Sequence, residues 1–243
     1  MAAPVQIIGH RGASAEAPEN TRVAFLRAWE QGADAVECDV YLTKDKKIMV
    51  MHDASVKRTG GVDLRMADTS STILSQIDVG SWKGPVYKGQ TIPFLKRVVA
   101  LIPAGRQLFI EVKSGPDMLP YLEELIRESG KADQVRIISF NLEVVAGAKR
   151  RMPDIPAYLV VETWSEATIA DAERADLDGI DAYYRIVTRE WAEAVRNRGM
   201  KLYVWTVDDV ADAERMRAVG VDGITTNRPK LLLAHFKAQS DAR

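Results

Sequence analysis

Little in this chain of 243 residues suits binding by bulk charge, by disulfides or by a lipid bilayer. Its only cysteine is Cys38, so an internal disulfide and a cysteine-rich zinc site are both excluded, and a reducing compartment is expected. No uncharged apolar run reaches the roughly 18 residues that a membrane helix needs. The first residues carry neither a basic region nor a long apolar stretch of the kind that marks a signal peptide. A soluble cytoplasmic protein is therefore expected. Lys and Arg number 33 and Asp and Glu 34, a formal charge of −1, with both signs mixed along the chain. Nucleic acid and anionic membranes are poor partners for such a surface. What is present is core material: 47% of the residues are hydrophobic, against 28% charged.

Short β-branched runs alternate with longer stretches of helical apolar period, the pattern of βα units. The expected strands are residues 5–9, 33–41, 48–51, 107–112, 135–139, 157–161, 179–182, 201–206 and 221–225. Asn20 is expected to cap the helix carrying Val23, Phe25 and Leu26, and Gly199 and Gly220 to close helices. Gly32-Ala33-Asp34, Asp176-Leu177-Asp178-Gly179 and Gly220-Val221-Asp222-Gly223 resemble one another, which suggests one repeated unit. About eight units in one chain of this length fit an α/β fold of the (β/α)₈ TIM-barrel type, read as one domain over residues 1–243. No Gly-x-Gly-x-x-Gly follows the first strand to favour a dinucleotide fold. Residues 53–92, rich in Gly, Ser and Thr, form an insertion with one short helix near 72–77. A connection of that length is usually functional and is expected over one barrel mouth.

Glu37 and Asp39 lie two apart in an apolar strand, so both side chains share a face opposite Val36, Cys38 and Val40. Glu111 and Lys113 repeat the arrangement. Helices cover the outside of a barrel, so the charged sets face its axis near the C-terminal mouth. Structural salt bridges would explain one such pair. Two pairs place three carboxylates beside a lysine in a poorly hydrated site, at a cost of several kcal/mol per ion. A divalent cation relieves it, and oxygen ligands alone select a hard ion, Mg²⁺ or Ca²⁺.

Of the three histidines, His235 sits in the last helical segment and receives no role. His10 and His52 each follow a strand directly, where barrel enzymes carry their chemistry, and read as an acid and base pair. Arg11 and Lys113 flank the acids, so cation, metal and imidazole together describe a phosphate site. Residues alone do not say which histidine is acid and which is base.

The motifs His10-Arg11-Gly12, Pro18-Glu19-Asn20-Thr21, Gly32 to Val40, His52-Asp53, Ile110-Glu111-Val112-Lys113, Val204-Trp205-Thr206-Val207 and Gly220 to Pro229 resemble, in this order and spacing, the glycerophosphodiester phosphodiesterase family of TIM barrels. The resemblance implies cleavage of small-molecule glycerophosphodiesters to sn-glycerol 3-phosphate and an alcohol. It implies Glu37, Asp39 and Glu111 as metal ligands, His10 and His52 as acid and base, and Arg11 and Lys113 as phosphate contacts. By the same resemblance Trp205 walls the glycerol side, and the 53–92 insertion helps form the cleft. Two departures stand out. Lys44-Asp45-Lys46-Lys47 replaces an Asp-Gly hairpin, and Asn227 stands where the family commonly has Asp. Two rivals are a Schiff-base aldolase using Lys113 and a barrel that only binds an anion. The leaving alcohol, the choice of ion and any homo-oligomer are left open.

Overall fold

In the computed structural model, which describes residues 5–241, parallel strands follow one another around a closed ring, each tied to the next by a helix or loop on the outside. The strands are β1 (Gln6–Gly9), β2 (Ala35–Leu42), β3 (Ile48–Val50), β4 (Gln107–Val112), β5 (Val135–Ser139), β6 (Ala157–Val161), β7 (Gly179–Tyr183), β8 (Lys201–Trp205) and β9 (Gly223–Thr226). All except β3 pair in parallel, and β1 pairs with both β9 and β2 to close the ring. The result is an eight-stranded TIM barrel, as the alternating pattern implied.

Strand β3 differs from expectation. It runs antiparallel to the end of β2, with Val40 opposite Val50 and Leu42 opposite Ile48. Residues 48–51 are thus the return arm of a hairpin and not a barrel unit. An apolar run of three or four residues reads the same in either direction, so composition does not separate the two cases.

The helices are α1 (Arg22–Glu30), α2 (Lys57–Gly60), α3 (Ser71–Leu74), α4 (Leu95–Leu101), α5 (Leu119–Ser129), α6 (Leu142–Arg151), α7 (Glu166–Arg174), α8 (Arg189–Asn197), α9 (Val210–Val219) and α10 (Pro229–Asp241). Their apolar stripes cover the outward strand residues, among them Val36, Cys38 and Val40. Gly220 closes α9 with a left-handed backbone, φ +88°. The cap of α1 is Thr21, whose Oγ1 accepts from Ala24 N, and not Asn20. Both residue types can cap, and tertiary bonding decides between them: Asn20 takes φ +57° and turns its amide to Asp39.

Inside the ring the lower half is apolar. Phe109, Tyr158 and Tyr203 pack with centroids 5.0 to 6.0 Å apart, joined by Ile8, Ala35, Ile138 and Val160. Gly223 makes room for this plug, since a Cβ there would lie 2.6 Å from the Tyr203 ring. The upper half of the ring carries the charged residues.

The 53–92 segment packs Val56, Met66, Leu74, Val79 and Ile92 into a small core with Met49 and Met51 of the β3 arm. Asp45 accepts from Ser71 N and Oγ and thereby starts α3, which ends at Leu74, short of the expected 77, because Ile77 and Val79 turn into that core. Lys83 Nζ donates to Ser14 O, and Tyr87 OH to Glu16 O, tying the segment to the loop after β1.

Candidate active site

Alternation along β2 and β4 brings Glu37, Asp39 and Glu111 to the axis, since Glu37 pairs with Phe109 and Asp39 with Glu111 in register. One carboxylate oxygen from each lies within 4.8 Å of the other two, and all three side chains are buried. Asn20 Nδ2 donates to Asp39 Oδ2 at 2.7 Å, and Arg11 N donates to Glu37 Oε2 at 2.9 Å. Glu37 Oε1 is buried with no hydrogen-bond partner.

Two cations touch this cluster. Lys113 Nζ lies 2.6 Å from Glu111 Oε1 and 3.2 Å from Asp39 Oδ1, and Arg11 Nε lies 3.3 Å from Asp39 Oδ2. Three ionised acids against two cations would leave one excess negative charge in the barrel. Burial, then the charges of Asp39 and Glu111, push the Glu37 carboxyl well above its ordinary range. Burial and Asp39 push Glu111 up to about 7, against the pull of Lys113. Burial would raise Asp39 as well, but Arg11 and Lys113 hold it below the usual carboxylate range. Crowded, orphaned, all-oxygen and short of positive charge, the triad fits a hard divalent cation.

His10 leaves β1 directly and sits at the same mouth. Its anchor is a chain of polar groups of which the sequence singled out only Asn227, as a departure without a role. Asn227 donates from Nδ2 and N to Asp208, at 2.6 and 2.8 Å. That orientation turns the acceptor Oδ1 of Asn227 toward His10 Nδ1, 2.8 Å away, while Ser14 Oγ also donates to it. The proton of neutral His10 is therefore on Nδ1, and Nε2 keeps its lone pair. Burial and neighbouring Arg11 lower the imidazole to about 4, so it is neutral at pH 7.

His52 reaches the mouth by another route. The β2–β3 hairpin returns the chain until Met51 N bonds Asp39 O, which sets the next residue at the level of the acids. Its Nδ1 lies 2.7 Å from Asp53 Oδ1. Arg58 donates from Nε to Asp53 Oδ2 and by a fork to both oxygens of Glu19, which also accepts from Arg11. Glu19 and Asp53 lie inside the family-like motifs without an assigned role, and Asn20 was expected only as a helix cap.

A cavity of about 270 Å³ opens among His10, Arg11, Glu37, His52, Glu111 and Lys113, with Phe140, Glu162, Asp181 and Trp205 on its far side. Trp205 packs edge-on to Phe140 at 5.6 Å and tilts against Tyr183 at 5.5 Å. All eight residues singled out from the sequence thus surround one site, Asp39 through its contacts with Arg11, Lys113 and Asn20. His235 lies apart, 2.7 Å from Glu214 on α9. The acids raise Lys113 against the effect of its burial, which opposes the nucleophilic free amine of a Schiff-base aldolase.

A buried acidic triad with two imidazoles at the C-terminal mouth of a parallel barrel is the kind of site that TIM-barrel enzymes carry. The sequence profile of the glycerophosphoryl diester phosphodiesterase family matches residues 10–231, and the chain belongs to that family. It is 37% identical over 237 residues to a glycerophosphodiester phosphodiesterase of Caldanaerobacter subterraneus subsp. tengcongensis, covering 93% of this chain and 96% of that one. A Bacillus subtilis glycerophosphodiester phosphodiesterase is 30% identical, with 92% and 84% covered. Among solved structures, an Oleispira antarctica phosphodiesterase in complex with its product sn-glycerol 3-phosphate superposes with TM-score 0.91 at 27% identity, covering 96% of each chain. The protein is thus a phosphoric diester hydrolase. Among the described residues no helix is long and apolar enough to cross a membrane.

Proposed function

We propose that the chain hydrolyses glycerophosphodiesters to sn-glycerol 3-phosphate and an alcohol, with one Mg²⁺ or Ca²⁺ held by Glu37, Asp39 and Glu111. The observation that carries the reading is the pair of histidines beside the triad, each anchored through Nδ1 and each on the cavity wall. When bound, a divalent cation offsets the carboxylate charge and stabilises negative charge on phosphate oxygens. Arg11 and Lys113 bind the non-bridging oxygens; an ammonium has three donors, and two in use for Glu111 and Asp39 leave one for the ester.

His10 serves as base. Its Nε2 takes the proton of the nucleophile, either water or the glycerol 2-hydroxyl, and the imidazolium formed stays hydrogen-bonded to Asn227. His52 serves as acid: Asp53 accepts from its Nδ1–H and fixes the ring, and its Nε2 gives a proton to the departing alcohol oxygen as the P–O bond breaks. Trp205 walls the glycerol moiety. We take residues 1–243 as one domain whose 53–92 segment shapes the cleft.

The test is release of glycerol 3-phosphate from the choline, ethanolamine, inositol and glycerol diesters. Activity should vanish with chelator and return with Mg²⁺ or Ca²⁺. Full turnover by metal-free protein, or no glycerol 3-phosphate from any diester, would overturn the reading.

A further inference from the structure

Asp181 on β7 has no part in the chemistry above, yet it faces the same cavity. Its backbone lies in register between Val160 of β6 and Tyr203 of β8, and its side chain is 4% exposed. With Ile138, Val160 and Thr225 it lines the cavity below the histidines. It lies outside the acidic triad, whose members among the described residues are Glu37, Asp39 and Glu111. Its Oδ1 is buried with no hydrogen-bond partner. An unpartnered carboxyl inside a barrel weakens the fold, and Leu or Val would pack there without that penalty. A buried polar group aimed into a cavity and bonded to nothing marks a place whose partner comes from outside.

The surroundings say which partner. Burial and the charge of Glu111 push the carboxyl up to about 8, so at pH 7 it is a neutral acid, both donor and acceptor. A hydroxyl is also both, whereas an ammonium needs a carboxylate. Around it, Thr225 adds a second hydroxyl, while Ile138 and Val160 offer apolar faces. That combination matches a polyol, with oxygens on one edge and C–H on the other. Trp205 closes the pocket beside it, its Nε1 donating to Asp181 O at 3.2 Å.

We infer that Asp181 binds a hydroxyl of the glycerol moiety and makes the site select esters whose glycerol hydroxyls are free. The inference rests on the proposed function for the identity of the polyol and goes beyond it in assigning the selecting residue.

Calorimetric titration of the Mg²⁺-loaded protein with sn-glycerol 3-phosphate and with inorganic phosphate separates glycerol recognition from phosphate recognition. Wild type should prefer glycerol 3-phosphate. Asp181→Leu should lose about tenfold or more of that preference, the usual effect of an unmade hydrogen bond to a buried group, with phosphate affinity within about twofold. Asp181→Asn, which keeps one donor and one acceptor, should retain most of it. Should D181L fail to fold, Asp181→Ala gives the same comparison. An unchanged preference in the Leu or Ala variant, or equal weakening of both ligands, would refute the inference. Failure of the proposed function shows separately, as wild type releasing no glycerol 3-phosphate from a diester.

Discussion

A histidine works as a base when one ring nitrogen is held and the other is bare. In His10 the holding group is Asn227, itself fixed by Asp208. Replacing His10 or His52 by Ala should lower turnover by about 10²- to 10⁴-fold with folding intact. A sharper check is Asn227→Asp. A carboxylate at that position stabilises the imidazolium and raises His10 from about 4. The base must be unprotonated, so the acid limb of the kcat/KM profile should move to higher pH. An unmoved limb would remove His10 as the base. Both histidines were legible because each follows an apolar run at once. Asn227 showed only as a departure from Asp and Asp208 not at all, since the role of Asn227 comes from a contact with a residue 217 positions away and that of Asp208 from holding Asn227. Asp181 is a single inward acid on its strand, without the paired spacing that exposed Glu37 and Asp39.

Elements set these residues in place by two different devices. The barrel strands do it by alternation, which is written in the sequence: 37 and 39 inward, 36, 38 and 40 outward. The hairpin of β2 and β3 does it by reversing the chain, which is not, because register and direction depend on pairing. The loop after β1 is held close to α1 by Gly12. At φ +87°, a Cβ there would lie 2.4 Å from the Ala24 carbonyl carbon, so neither backbone nor neighbour accommodates it. Gly12→Ala should destabilise the protein by about 1–3 kcal/mol. Because the same loop carries His10 and Arg11, the variant should also lose activity under conditions where it is still folded. Urea unfolding with parallel assays checks this, and a variant of wild-type stability would show that the loop has room to spare.

At the scale of the whole molecule, the barrel concentrates opposed charges at one end of its axis and an aromatic plug beneath them. Glu37 and Glu111 are raised in the folded, ion-free protein, so it binds more protons than the unfolded chain does. The contribution of Glu111 is present below the ordinary carboxylate range and is lost as pH rises through about 7, and that of Glu37 changes in the same sense. The divalent ion of the proposed function would reverse the sense: it would need both acids ionised, displace their protons, and bind more tightly as pH rises. His10 acts in a lower window, between 6.5 and about 4, where falling pH charges the unfolded ring first. The alternating pattern made the barrel legible as a whole. The charge balance was less so, because Arg11 enters it through a left-handed backbone, φ +54°, that residue type does not announce.

The most direct measurement is calorimetric titration of chelator-stripped protein with Mg²⁺ and with Ca²⁺ at pH 6 and pH 8, beside a variant carrying Glu37→Gln, Asp39→Asn and Glu111→Gln. The expected result is one ion per chain, held more tightly at pH 8, with protons released on binding at pH 6 and no binding by the variant. Wild type that takes up no ion, or a variant that binds as wild type does, would contradict it.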